Sequence, residues 1–269
     1  LALTSTVWLA APAAAVDDRD TCLKESGDQA IAACTRAIES GRYSGRQLAA
    51  LLTSRCAEWP DKKEIDKAIA DCSQAIQLHP TSSNAFSGRA HAYYSKGQYD
   101  RAIEDLSQAI RLDPNDADLF NNRGLAYSDK DESDRAIEDL NQAIRLDPDH
   151  ADAFYNRGNA YRHKGENDRA IEDFNQAIRL RPTYASAFNN RGLTYHEKGQ
   201  DDRAIEDFSQ VIRLNPKEAI AFYNRGKSWE RKSELRRALA DFRKFAELAP
   251  SDPHVRKTIE RVTKALTGR

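Results

Sequence analysis

Four asparagines, Asn122, Asn156, Asn190 and Asn224, recur at intervals of 34 residues, each immediately before an arginine. A side-chain amide carries donors and an acceptor together, so evenly spaced amides can hydrogen-bond the backbone of an extended chain whatever its side chains. The arginines form a longer column: Arg55, Arg89, Arg123, Arg157, Arg191 and Arg225. A matching acidic column runs through Asp71, Asp105, Asp139, Asp173, Asp207 and Asp241. An arginine on a packing stripe needs a partner, because an unpaired buried charge is costly. Each is expected to pair with the aspartate of its own or an adjacent repeat. A second arrangement is intrahelical: Lys67–Asp71, Arg101–Asp105, Arg135–Asp139, Arg169–Asp173, Arg203–Asp207 and Arg237–Asp241 stand at i,i+4. The two can coexist, and both make the charged columns structural.

Catalytic chemistry finds little to work with. The six histidines contain no H-E-x-x-H and no i,i+4 pair, and His163 and His196 read as solvated groove residues. No Gly-rich phosphate loop appears, and Ser and Thr lack an evident base-and-orienter set. Pairs such as Glu172-Asp173 resemble paired carboxylates, but they recur along the chain, and an active site is not usually copied that way. Cys22, Cys34, Cys56 and Cys72 all fall before the first of the regularly spaced prolines, Pro80, without a C-x-x-C, which argues against zinc and dithiol redox motifs. No cofactor, no metal and no enzyme activity are expected.

The elements that must carry these columns follow from the prolines. Pro80, Pro114, Pro148, Pro182, Pro216 and Pro250 are each 34 residues apart. In the period Ala151–Tyr184, Phe154, Gly158 and Tyr161 share one helical face, Lys164-Gly165 interrupts, and Ala170, Ile171, Phe174, Ala177 and Ile178 form a second stripe. Pro182 ends it, since its ring cannot continue a helix. The unit is helix–turn–helix, and a chain of such units buries its apolar faces by stacking.

The aromatic, small residue, Tyr, Ala, aromatic, Ala and Pro of this period resemble the tetratricopeptide repeat. The resemblance covers 49–252 in six copies: 49–82, 83–116, 117–150, 151–184, 185–218 and 219–252. The first departs most, with Leu52 for the aromatic, Cys56 for Gly and Pro60 late in its first helix; the last has Phe245 where Ala is usual. The resemblance implies an all-α, right-handed solenoid of antiparallel helix pairs, read as one array. Residues 16–48 read as an irregular helical N-terminal cap. Residues 253–269 read as a C-terminal capping helix, in which Val255, Ile259, Val262 and Leu266 step by four, three and four.

In this family first helices line a concave groove. That places the asparagine column there, flanked by Asn121, Tyr155, Asn159, Asn189 and Tyr223. The column is similar to the asparagine ladder in the repeat region of O-linked N-acetylglucosamine transferases, which holds peptide backbone. The alternative is that these amides cap or solvate neighbouring helices. The acidic-tail clamp of chaperone-binding members is doubtful, since Asn84, Asp118, Asp152 and Ser186 stand at matching places. Residues 30–38 mimic a second helix and Gly27 its turn, which sets Cys22 facing Cys34; Cys56 and Cys72 face each other across the first full repeat. In an oxidising compartment both pairs would bridge, the shorter for roughly 3 kcal/mol. The alternative is four buried thiols acting as small apolar residues.

The net charge is −1, from 41 basic and 42 acidic residues, and no basic patch or stripe stands out, so nucleic acid is not an expected partner. Residues 1–15, LALTSTVWLAAPAAA, are apolar and too short to span a bilayer. They end on a small-x-small pattern like the close of a secretory signal. The expectation is export to a periplasm or beyond, against a cytoplasmic alternative, with no stable membrane insertion after signal removal. The expected function is non-catalytic recognition of a peptide or extended partner segment. Alternatives are a structural subunit of an envelope or secretion assembly and an accessory to a separate enzyme.

Overall fold

The computed structural model describes residues 18–268, so the stretch read as an export signal lies outside the described residues. Every regular element among the described residues is helical. By their contacts the helices group into two compact units, with the boundary between Pro114 and Asn115.

The first unit holds α1 (Asp18–Lys24), α2 (Gly27–Glu39), α3 (Gly45–Glu58), a 3-10 turn at Pro60–Lys62, α4 (Ile65–Leu78), α5 (Ser83–Ser95) and α6 (Tyr99–Leu112). Helix α1 packs on α2, α3 on α4, and α5 on α6. The core beneath α1 gathers Cys22, Ala33, Cys34, Ala37 and Leu51. A second cluster holds Cys56, Ala68, Cys72 and Ala92, with Trp59 beside it.

The second unit holds α7 (Ala117–Ser128), α8 (Ser133–Leu146), α9 (Ala151–His163), α10 (Asn167–Leu180), α11 (Ala185–Glu197), α12 (Asp201–Leu214), α13 (Ala219–Arg231), α14 (Leu235–Leu248) and α15 (Pro253–Thr267). The helices again pair in sequence. A small residue on each first helix admits a large one from the second. A Cβ on Gly158 would lie 2.7 Å from Phe174 Cε1, and one on Gly192 2.9 Å from Phe208 Cε1. Phe174, Phe208 and Phe242 are wholly buried as a result. Helix α15 starts at Asp252, whose carboxylate caps the backbone N–H groups of His254 and Val255. It sets Val255, Ile259, Val262 and Leu266 against Phe222, Leu239, Phe242 and Phe245.

The turn inside each pair passes through a left-handed residue: Lys63, Gly97, Asp131, Gly165, Gly199 and Ser233. Glycine adopts this conformation freely, whereas a β-carbon makes it costly. Ser233→Gly should therefore raise stability by about 1 kcal/mol, measurable as a higher urea midpoint at unchanged slope.

Candidate peptide-binding face

In residues 115–269 the first helices adjoin one another: α7 touches α9, α9 touches α11, and α11 touches α13. Their side-chain amides interlock across these contacts. Asn156 Nδ2 donates to Asn121 Oδ1 at 2.9 Å, and Asn121 Nδ2 donates to Asn122 Oδ1 at 3.2 Å. Asn190 Nδ2 donates to Asn159 Oδ1 at 2.7 Å and to the Tyr155 hydroxyl at 3.1 Å. Asn189 Nδ2 reaches Asn190 Oδ1 at 3.1 Å, and Asn224 Nδ2 reaches Asn189 Oδ1 at 3.3 Å. The residue before each asparagine, or the one three places after it, thus serves as acceptor for the next repeat. Asn122 is exposed, Asn190 and Asn224 are half-buried, and Asn156 is buried within the wall.

Two tyrosines flank this line. The Tyr155 ring lies 4.9 Å from that of Tyr184 and 6.0 Å from that of Phe174. Tyr223 leans on Phe245 and Phe242, at 5.2 and 5.7 Å. Tyr184 donates to Asp152 Oδ1 at 2.6 Å, and Arg181 engages the same carboxylate at 2.8 and 3.0 Å. The Arg181 hydrogen bonds hold the Asp152 carboxyl below the usual carboxylate range against the opposing effect of burial. Burial and the adjacent carboxylate push the Tyr184 hydroxyl above its ordinary value, so it remains a donor.

Behind the amides lie the charged columns. Each arginine grips both oxygens of the aspartate sixteen residues on: Arg157 Nε and Nη2 stand 2.8 and 2.7 Å from Asp173. The same fork joins Arg123 to Asp139, Arg191 to Asp207 and Arg225 to Asp241. Within the first unit it joins Arg55 to Asp71 and Arg89 to Asp105. The remaining Nη1 reaches back one repeat, from Arg157 to Asn141 and from Arg191 to Asn175, both at 2.6 Å. The second-helix cations go elsewhere. Arg135, Arg169 and Arg203 lie over Tyr127, Tyr161 and Tyr195, and Arg237 over Trp229, at 4.2–5.5 Å from the ring centroids. In the first unit Lys67 lies over Trp59 and Arg101 over Tyr93. The first-helix tyrosine of the repeat pattern is therefore a cation platform, which explains how the aspartates come to be reserved for the first-helix arginines.

Burial pushes the carboxyls of Asp173 and Asp207 up, against the pull of their arginines. Asp201 behaves oppositely. Burial opposes it, but hydrogen bonds from Arg231 and His196 hold it below the usual range. A depressed carboxyl contributes stability that is present above the unfolded value, near pH 4, and is withdrawn as pH falls through the lower folded value. Asp152 and Asp201 therefore contribute to acid destabilisation of this unit, while protonation of Asp173 and Asp207 is tighter in the folded state. Asp152→Asn should lower the melting temperature at neutral pH and shrink its fall towards about pH 3, measured by circular dichroism.

His196 also shows how a suggestive set of residues falls short of chemistry. Its Nδ1 meets both Asp201 Oδ1 at 2.9 Å and the buried Ser228 hydroxyl at 3.0 Å. Both partners share one ring nitrogen, so no relay from carboxylate through imidazole to hydroxyl is formed. No cluster suited to a metal occurs among the described residues.

One set of contacts was not anticipated from the sequence. Lys164 binds Asp134 at 2.6 Å, and Lys198 and Lys232 bind Asp168 and Asp202. Within the first unit Lys96 binds Asp66 at 2.7 Å and Lys62 binds Asp28 at 2.8 Å. The signal lay in the 34-residue recurrence of Lys before the turn and of Asp66, Asp100, Asp134, Asp168 and Asp202 after it; Asp28 stands outside that series. The series of aspartates ends at Arg236, the matching place in α14.

In the first unit the structure places Cys22 and Cys34 in one disulfide, with Cα atoms 4.6 Å apart, and Cys56 and Cys72 in another, at 5.7 Å. Cys56 and Cys72 occupy the places that Gly158 and Phe174 hold three repeats on. Gly88 stands where the asparagine column would begin, and a Cβ there would lie 2.8 Å from Cys72 Sγ. The column starts at Asn122 for that reason.

Stacked helix pairs with an interlocked polar face define a helical repeat scaffold. The family model described as TPR repeat matches residues 90–131, 129–162, 158–199 and 192–233, more than half of the chain. The chain belongs to the tetratricopeptide repeat family, whose members serve as protein-interaction scaffolds. No curated protein matches the sequence. Among solved structures, MamA is 31% identical with a TM-score of 0.54, over 60% of this chain and 94% of that one. YrrB, described as a TPR protein with an unusual peptide-binding site, is 24% identical with a TM-score of 0.53, over 70% and 95%. The hetero-tetramer Cut9–Hcn1 gives a TM-score of 0.72 at 17% identity over 87% of this chain, which spans about half (48%) of the chain it matches. The last two likenesses show the fold alone.

Proposed function

We propose that this protein is a non-catalytic scaffold that holds an extended peptide segment along the face of α7, α9, α11 and α13. The observation that carries this reading is the interlocked line of amides from Asn122 to Asn224. Asn156, Asn190 and Asn224 each spend an N–H on the preceding first helix, and Asn122 accepts from Asn121, which fixes these amide planes before any ligand arrives. Pre-orientation lowers the ordering cost of binding. The buried Asn156 acts by fixing Asn121; the exposed Asn122 and the half-buried Asn190 and Asn224 meet the ligand. Tyr155 and Tyr223 add apolar area beside the backbone sites. The cysteine pairs favour work in an oxidising compartment, a periplasm or the cell exterior.

The test is crosslinked pull-down with Asn122→Ala/Asn190→Ala/Asn224→Ala, which spares the buried Asn156. Capture should be lost while the helical melt moves by no more than about 1–2 kcal/mol, the scale of the hydrogen bonds removed. Partners that survive the triple change would move the site to another surface.

A further inference from the structure

The near-zero net charge conceals a division. Residues 225–269 hold thirteen Lys and Arg against six Asp and Glu, while residues 1–224 hold 28 against 36. The excess of cations is thus confined to α13, α14 and α15 and what joins them. Part of it converges on the face just described. An open cleft of about 390 Å³ is lined by His196 from α11, Lys227, Glu230 and Arg231 from α13, and Arg261 from α15. Arg231 is anchored by Asp201, with Nε and Nη2 at 2.5 and 2.6 Å, and also donates to the His196 carbonyl. Arg261 is anchored by Glu230, with Nη2 at 3.0 Å from Oε2. These guanidiniums are held in place at modest residual charge.

The uncommitted charge comes from lysines. Lys227 is exposed on the cleft wall. Lys257, Arg261 and Lys264 step by four and three along α15, so they share a stripe, and all three are exposed. That stripe lies beside the packed one of Val255, Ile259, Val262 and Leu266, and Arg261 ties it to the cleft. Asp118, near the start of α7 at the other end of the row of first helices, keeps its carboxylate largely exposed.

We infer that the α13–α15 end of this face receives acidic side chains of a peptide, with Lys227, Lys257 and Lys264 as the groups that select it. The inference deepens the scaffold reading and rests on it. A peptide is favoured over nucleic acid or an anionic membrane because the remainder of the chain, with its excess of eight acidic residues, repels an extended polyanion. A short acidic run placed at one end meets only the cationic end. Glu230 within the cleft further disfavours a continuous track of phosphates. The face is electrically polar along its length, so a bound segment would also have a fixed direction.

The test uses fluorescence anisotropy with the whole chain. The probes are a labelled Glu-rich peptide, an uncharged Gly/Ser peptide of equal length, an oligothymidylate, and phosphatidylserine vesicles. The Glu-rich peptide should bind about tenfold more tightly than the uncharged one, and rising salt should erase the difference. Lys227→Glu/Lys257→Glu/Lys264→Glu should abolish that preference with an unchanged helical melt, and the Gln triple should reduce it. Equal affinity for the two peptides, a preference untouched by the Glu triple, no measurable binding of the Glu-rich peptide, or tighter binding of oligothymidylate or vesicles would each overturn the inference. Loss of partner capture in the asparagine variant without an acidic preference would leave the scaffold reading standing and remove only the acidic anchor. An acidic preference that survives the asparagine variant would do the reverse.

Discussion

Replacing Arg157 with leucine should destabilise residues 115–269 by about 3–5 kcal/mol, the cost of breaking a buried ion pair from one side. Arg157 makes two bonds to Asp173 and one to Asn141, and the Asp173 side chain is only 6% exposed. Leucine fills the space of the aliphatic stem but leaves a carboxylate without its donors. The double change Arg157→Leu/Asp173→Tyr removes both charges and should cost less than the single one, so urea melts of the four-member cycle should show strong coupling. Independent, additive effects would refute the pairing as a source of stability. Acidification supplies a second check. Burial already raises the Asp173 carboxyl, and loss of its arginine would raise it further. The stranded group can then take up a proton, and the penalty should shrink as the pH is lowered towards the carboxylate range.

What could be read from the sequence divides along the same lines as the physics. A 34-residue recurrence of Gly158, Tyr161, Ala170, Phe174 and Pro182 carries the helix pair directly, because small, large and helix-ending residues each have one place in such a unit. Both partners of each Arg–Asp fork were visible as columns. The choice between a cross-helix and an intrahelical partner was not, since Arg169 stands four residues before Asp173 and Arg157 sixteen. It turns on where the Tyr161 ring lies, a three-dimensional fact. The asparagine column was legible as positions, but its internal bonding was not. Asn156 looks equivalent to Asn122 in the sequence, yet one is buried and the other exposed. The division at Pro114 leaves no mark on a periodic sequence, because the repeats continue through it.

The second large effect belongs to the first unit. Loss of the Cys56–Cys72 cross-link in Cys56→Ala/Cys72→Ala should cost about 3 kcal/mol, as the closed loop spans 16 residues and its removal frees the unfolded chain. Part of the loss in the alanine variant is packing, since Cys56 and Cys72 are wholly buried in a cluster with Ala68 and Ala92. Reduction in a Cys22→Ala/Cys34→Ala background, where Cys56–Cys72 is the cross-link that remains, separates the two contributions: it keeps both of these sulfurs in place and removes only that cross-link. In that background the Cys56→Ala/Cys72→Ala pair should therefore be less stable than the reduced protein. Both disulfides lie before Pro114, so hydrogen exchange followed by mass spectrometry should show faster exchange across 45–78 on reduction. The rate across 151–180, which contains no cysteine, should not change. Equal protection of 45–78 with and without reductant would mean that the Cys56 and Cys72 thiols act as buried apolar residues, and that the core of α3 and α4 stands without a covalent tie.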